Sequence, residues 1–171
     1  MILRRFRLNS QDRSIRDLYG AIVAQARAVA FYSAYGVPDT VEGRFDLIVL
    51  HIVLVLARLD RDGSPVRGIG QKLFNVFCSD LDANLREMGT GDLAVPKRMR
   101  AFGEAFYGRQ SAYLAALAAT DDRELENALA RNIFRGVKGE GPAAWRAMRV
   151  RCRVTSRTMT KTRCRVVKSR F

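Results

Sequence analysis

Asp80, Asp82 and Asn84 alternate with single intervening residues, the spacing with which a calcium-binding loop begins. Such a loop also needs glycine at its sixth position and a bidentate glutamate at its twelfth. Those positions are Leu85 and Gly91 here, so calcium chemistry is excluded and the acids need another role. Taken as helical at 100° per residue, Asp80, Asn84 and Glu87 fall within about 60° of one another beside the apolar line Phe77, Leu81, Leu85 and Met88. They form either a recognition strip or an internal network satisfied by a neighbouring helix. The cationic counterpart is Arg44, His51 and Arg58, seven residues apart on an otherwise apolar segment, and this stripe is expected to face Asp80, Asn84 and Glu87.

Across the Gly89-Thr-Gly91 turn the charge reverses. Lys97, Arg98 and Arg100 stand in what Pro96 marks as the first turns of a helix, where the macrodipole disfavours cations. Lys97 and Arg100 point away from the Met99, Phe102 and Phe106 face. They are open to an acidic partner, or belong to a solvated face on which Glu104 pairs with Arg100. By the same geometry Asp82 and Arg86 point outward, so Asp82, Arg86, Lys97 and Arg100 form a candidate partner surface.

Catalytic chemistry finds no footing. His51 is the only histidine, better suited to a hydrogen-bonded core position than to acid-base work, and no nucleophile, base and orienting acid group together. Gly68-x-Gly70, Gly89-x-Gly91 and Gly136-x-x-Gly139-x-Gly141 lack the strand and the Lys-Ser/Thr end of a phosphate loop. Cys78, Cys152 and Cys164 are scattered, which suggests neither a disulfide framework nor zinc and fits a reducing compartment. The expectation is a non-enzyme with no cofactor, no metal and no small-molecule substrate.

The elements that must position these residues are helical. Ile15, Leu18, Tyr19, Ile22, Val23, Ala26 and Val29 give a buried face to a helix from about Ser14 to Ala30. Gly36-Val-Pro38 ends it, and Asp39-Thr40-Val41-Glu42 caps a second helix that is apolar almost all round from Phe45 to Leu59 and hence central. Asp60 to Gly70 reads as a loop, Gln71 to Met88 as a third helix stopped by Gly89, and Pro96 to about Ala119 as a fourth. A fifth opens at Asp121-Asp122, turns Leu125, Leu129 and Ile133 inward, and ends near Gly136. The fold expected is all-α, a single compact bundle of about five helices over residues 1–136, followed by an irregular basic C-terminal tail, 137–171.

The charge divides in the same place. Of the net +13 carried by 171 residues, the stretch from Gly136 holds eleven Lys or Arg against the single acid Glu140, which leaves only +3 for the rest. Two accounts of the tail stand side by side: a disordered extension that meets ribosomal RNA or an anionic membrane surface through phosphates, or text translated out of frame. The start of the chain has no secretory apolar region. The run Phe45 to Leu59, broken by Asp46, His51 and Arg58, is shorter than the roughly 20 residues a membrane span needs.

Several dense blocks resemble the ubiquinol-cytochrome c chaperone family: Tyr19-Gly-Ala-Ile-Val-Ala-Gln-Ala-Arg27, Phe31-Tyr32, Gly36 through His51, Asp80-Leu-Asp-x-Asn-Leu-Arg-Glu-Met-Gly-x-Gly-Asp92, Val95-Pro-Lys-Arg-Met99 and Glu104-Ala-Phe-Tyr-Gly-Arg109. The resemblance implies an all-helical, membrane-associated assembly chaperone of respiratory complex III that binds newly made cytochrome b or nascent subunits, cytoplasmic and peripheral to the inner membrane. By motif position it implies that Asp80, Asp82, Asn84, Arg86, Glu87, Asp92, Lys97, Arg98 and Arg100 meet the partner. The alternative is a nucleic-acid- or ribosome-associated protein acting through the tail.

Overall fold

A computed structural model describes residues 2–61 and 66–134, with side chains described at 12–60, 68–121 and 123–134; the basic tail lies outside the described residues. These residues form six α-helices, α1 (Ile2–Ala26), α2 (Val29–Ser33), α3 (Val41–Arg61), α4 (Val66–Glu87), α5 (Val95–Ala118) and α6 (Asp122–Asn132), and no strand is found among them. Five are the expected long helices; α2 is a single extra turn.

α3 is the axis of the bundle because its sequence offers water no apolar-free face. Leu47 to Leu50 and Ile52 to Leu56 are all buried, as is Leu59, and α1, α4 and α5 pack around them. Each fully buried Leu, Ile or Val contributes about 1.5–3 kcal/mol, set against the conformational entropy of ordering the chain. Thr40 caps this helix, its hydroxyl accepting from the Gly43 N–H at 3.1 Å. Gly43 is required by contact: a Cβ there would collide with the carbonyl oxygen of Pro38, which folds back over the first turn.

A file of aromatic rings crosses the bundle. Phe102 lies 4.8 Å from Phe45, Phe45 5.7 Å from Phe77, Phe77 5.7 Å from Phe106, and Phe106 4.9 Å from Phe74. These centroid separations suit tilted aromatic pairs. The file locks α3, α4 and α5 in register.

Three boundaries differ from expectation. α1 stops at Ala26, because Ala28 is extended (φ −60°, ψ 128°) and the Tyr32 hydroxyl donates to the Ala26 carbonyl at 3.3 Å. The helical register is therefore lost, and Val29 is 75% exposed rather than inward. α1 also begins twelve residues earlier than the apolar face required. α4 starts at Val66 instead of Gln71, since Ile69 and Leu73 extend the buried line of Phe77 two turns upstream despite the flanking glycines.

Candidate functional site

Gly89 ends α4 in a left-handed conformation (φ 77°). The Thr90 N–H reaches back to the Leu85 carbonyl at 3.0 Å and the Gly89 N–H to that of Arg86 at 2.9 Å. This is the Schellman arrangement, and it throws the chain sideways into the loop that leads to α5. Arg86 pins that loop: Nε meets Asp82 Oδ2 at 2.7 Å and Nη1 meets Asp92 Oδ1 at 2.6 Å. The bond to Asp82 first, and then the one to Asp92, holds the Arg86 guanidinium pKa above its usual value. Three of the residues expected to meet a partner are thus engaged with one another.

The loop closes one end of a groove of about 600 Å³ between the start of α3, the end of α4 and the first half of α5. Phe45, Leu85, Phe102 and Ala105 make its floor; Val41, Glu42, Met88 and Arg98 are among its walls. Val41 is 47% and Met88 54% exposed, and Leu93 on the adjoining loop is 99% exposed, so large apolar side chains are left in water at one place.

Arg109, at the inner end of the groove, forms an ion pair with the wholly buried Asp46, Nε to Oδ1 2.7 Å, and its guanidinium carbon lies 5.3 Å from the centroid of the Phe45 ring. The pairing of a cation with a ring face adds to the ion pair. In the sequence Asp46 shows only as an interruption of an apolar run. A carboxylate inside the most buried helix had to have a cationic partner, and that was the available signal.

The remaining sequence-derived residues divide by surroundings. Asp80 accepts a hydrogen bond of 2.7 Å from the Tyr19 hydroxyl of α1, and burial, followed by this carboxylate, pushes the Tyr19 phenol well above its ordinary pKa. Asn84 donates to the Asp80 backbone carbonyl at 2.6 Å. Glu87 does not share this inward network; one residue before Met88, it is exposed and without a partner among the described residues. Arg100 pairs with Glu104 at 2.9 Å, the solvated-face alternative, while Lys97 is exposed with no partner among the described residues. Arg98 reaches only the neutral Thr90 hydroxyl, at 3.3 Å.

Of the cationic stripe, Arg44 and His51 are found with partners other than those expected. Arg44 turns to Asp39, just before its own helix, at 2.7 Å, and this bond holds the Asp39 carboxyl below its usual range. His51 is a buried core residue, with Nδ1 2.7 Å from the Leu47 carbonyl and its ring edge-on to Phe31 at 5.2 Å.

A second groove, of about 640 Å³, lies toward the other end of α5 and is lined by Leu56, Phe74, Tyr107, Gln110 and Leu114 among others. No three His, Cys, Asp or Glu among the described residues are placed to hold a metal ion. No helix among them is long and apolar enough to cross a membrane. Cys78 is half-buried, and burial raises its thiol pKa.

The ubiquinol-cytochrome c reductase complex assembly factor 1 of Xenopus laevis is 25% identical over 117 residues, 68% of this chain. The match spans 58% of that relative's length. The crystal structure of the Cbp3 homolog from Brucella abortus superposes with a TM-score of 0.77 at 37% identity, covering 97% of this chain and 93% of that one. The family described as ubiquinol-cytochrome C chaperone matches residues 33–160, which takes in the groove and runs through the composition change at Gly136. On that match over most of its length, the chain belongs to the ubiquinol-cytochrome C chaperone family.

Proposed function

We propose that this chain is an assembly chaperone for ubiquinol-cytochrome c reductase that holds newly made cytochrome b, working at the inner-membrane surface and catalysing no reaction. The observation that carries the reading is the convergence of separate sequence blocks on one groove. Gly36 to His51 supplies Val41, Glu42 and Phe45; Asp80 to Asp92 supplies Leu85, Met88, Gly89 and Thr90; Val95 to Met99 supplies Arg98; and Glu104 to Arg109 supplies Ala105 and Arg109.

An apolar groove with charged walls suits a membrane subunit whose helices have yet to find their partners. It covers apolar surface that would otherwise aggregate and releases it when the subunit assembles. Of the sequence-derived residues, Glu87, Lys97 and Arg98 are assigned to the partner contact, while Arg100 is taken by Glu104. Asp82, Arg86 and Asp92 hold the loop, and Asp80 and Asn84 secure α4.

The test is recovery from membranes. Affinity-tagged chain should co-purify cytochrome b, and a strain lacking the chain should lose assembled complex III while retaining unrelated membrane complexes. Complex III at normal levels in that strain refutes the proposal.

A further inference from the structure

Glu42 and Arg98 stand on different walls of the groove, one in the first turn of α3 and the other in the first turn of α5. Glu42 pairs with no described residue, and Arg98 has only the Thr90 hydroxyl. The nearby arginines are otherwise accounted for, Arg44 by Asp39, Arg100 by Glu104, Arg86 by Asp82 and Asp92, and Arg109 by Asp46, while the uncommitted Glu87 at the end of α4 is not among the groove-lining residues. Lys97 adds a second uncommitted cation beside Arg98. The apolar residues Phe45, Leu85 and Phe102 thus line the groove together with one uncommitted anion from α3, Glu42, and one uncommitted cation from α5, Arg98.

We propose that this polarity fixes the orientation of the occupant, which is an apolar helical segment bearing a carboxylate on the flank that meets Arg98 and Lys97 and a cation on the flank that meets Glu42. The inference rests on the assembly-chaperone reading for the identity of the occupant. An uncharged groove would accept an apolar helix in either direction, because hydrophobic contact is not directional. Opposite charges on the two walls make one direction attractive and the other repulsive, and complementarity of this kind sets register and specificity more than affinity.

The probe is a synthetic Leu/Ala-rich helical peptide with Glu along one flank of its apolar face and Lys along the other, carrying a photo-crosslinker beside the Glu flank. With the full chain, crosslinks should concentrate on α5, at residues 95–102. In the doubly exchanged Glu42→Lys/Arg98→Glu protein they should move to the start of α3, with affinity retained. Replacing both peptide charges by Gln should weaken binding about tenfold and scatter the crosslinks. Arg98→Gln alone should scatter them too, which covers the case in which the double variant fails to fold.

Crosslinks spread evenly over both walls of the unaltered protein, or unmoved by the exchange, overturn the proposal. So does an uncharged peptide that binds equally well. Cytochrome b accumulation in cells is scored separately. If orientation is selected but cytochrome b does not depend on the chain, the functional reading fails and the groove's polarity stands. If cytochrome b depends on the chain but orientation is not selected, only the polarity fails.

Discussion

Asp46 of α3 and Arg109 of α5 are joined at 2.7 Å with the carboxylate wholly buried and the arginine side chain 20% exposed. One charge is sealed in the core, while the other forms part of the groove lining. The pair therefore ties the interior of the bundle to its candidate binding surface. Its attraction is offset by the desolvation of both ions, so its presence is weak evidence of net stabilisation. Its disruption is a different matter.

Arg109→Met should cost about 3–5 kcal/mol in urea denaturation, because it removes the paired cation from a buried carboxylate. Removing both charges with Asp46→Leu/Arg109→Met should restore most of that loss. If the single and double variants are equally unstable, Arg109 acts through its packing on Phe45 and not through Asp46.

Tyr19→Phe removes the hydroxyl that α1 offers to Asp80 of α4. Asp80 is partly exposed, so a loss of about 1.5 kcal/mol is expected near neutral pH, at the low end for a charged acceptor. The pH dependence has a definite sign. Burial and Asp80 raise the Tyr19 pKa in the folded chain, so its contribution is complete below the unfolded value of about 10 and is lost as pH rises toward the folded one. The advantage of the unaltered protein over Tyr19→Phe should accordingly shrink above pH about 10, measured by denaturation at stepped pH. A gap that is constant across that range contradicts the assignment.

The helices were legible because their buried lines repeat at helical spacing, as in Leu125 and Leu129 of α6 and Ile133 at its C-cap, with Asp121 capping through the Arg123 N–H at 2.9 Å. The break between α1 and α2 was not, since it depends on an alanine in extended conformation and on a tyrosine reaching back six residues. In the site, wheel geometry gave the inward turn of Asp80 and the outward turn of Arg86, but not their partners. Helix faces show direction alone, which points Arg44 at α4. The nearer Asp39 takes it at little cost in chain entropy, being held just outside the same helix. The Asp46 to Arg109 contact joins positions 63 residues apart, and no local pattern encodes such a contact.

Gly43→Ala and Gly108→Ala should act in opposite directions. At Gly43 a methyl meets the Pro38 carbonyl, and the displacement needed should destabilise by about 1–3 kcal/mol. At Gly108, inside α5 and exposed, a methyl finds open space, and alanine should stabilise by about 0.5–1 kcal/mol. Melting temperatures of the two variants check this. A neutral Gly43→Ala would mean that the turn before α3 is free to move away.

Leu93→Asp and Met88→Asp separate binding from folding at the groove. Both side chains are mostly in water, so substitution should change stability by no more than about 0.5 kcal/mol. If the groove receives an apolar segment, each charge must be desolvated on binding, and recovery of cytochrome b from membranes should fall about tenfold or more. Leu114→Asp in the second groove is the matched control, because it is also exposed and introduces the same charge. It should leave recovery unchanged. If Leu114→Asp abolishes recovery while Leu93→Asp and Met88→Asp do not, the client lies on the other end of α5, and the groove beside Gly89 would have to be reassigned as a feature of folding alone.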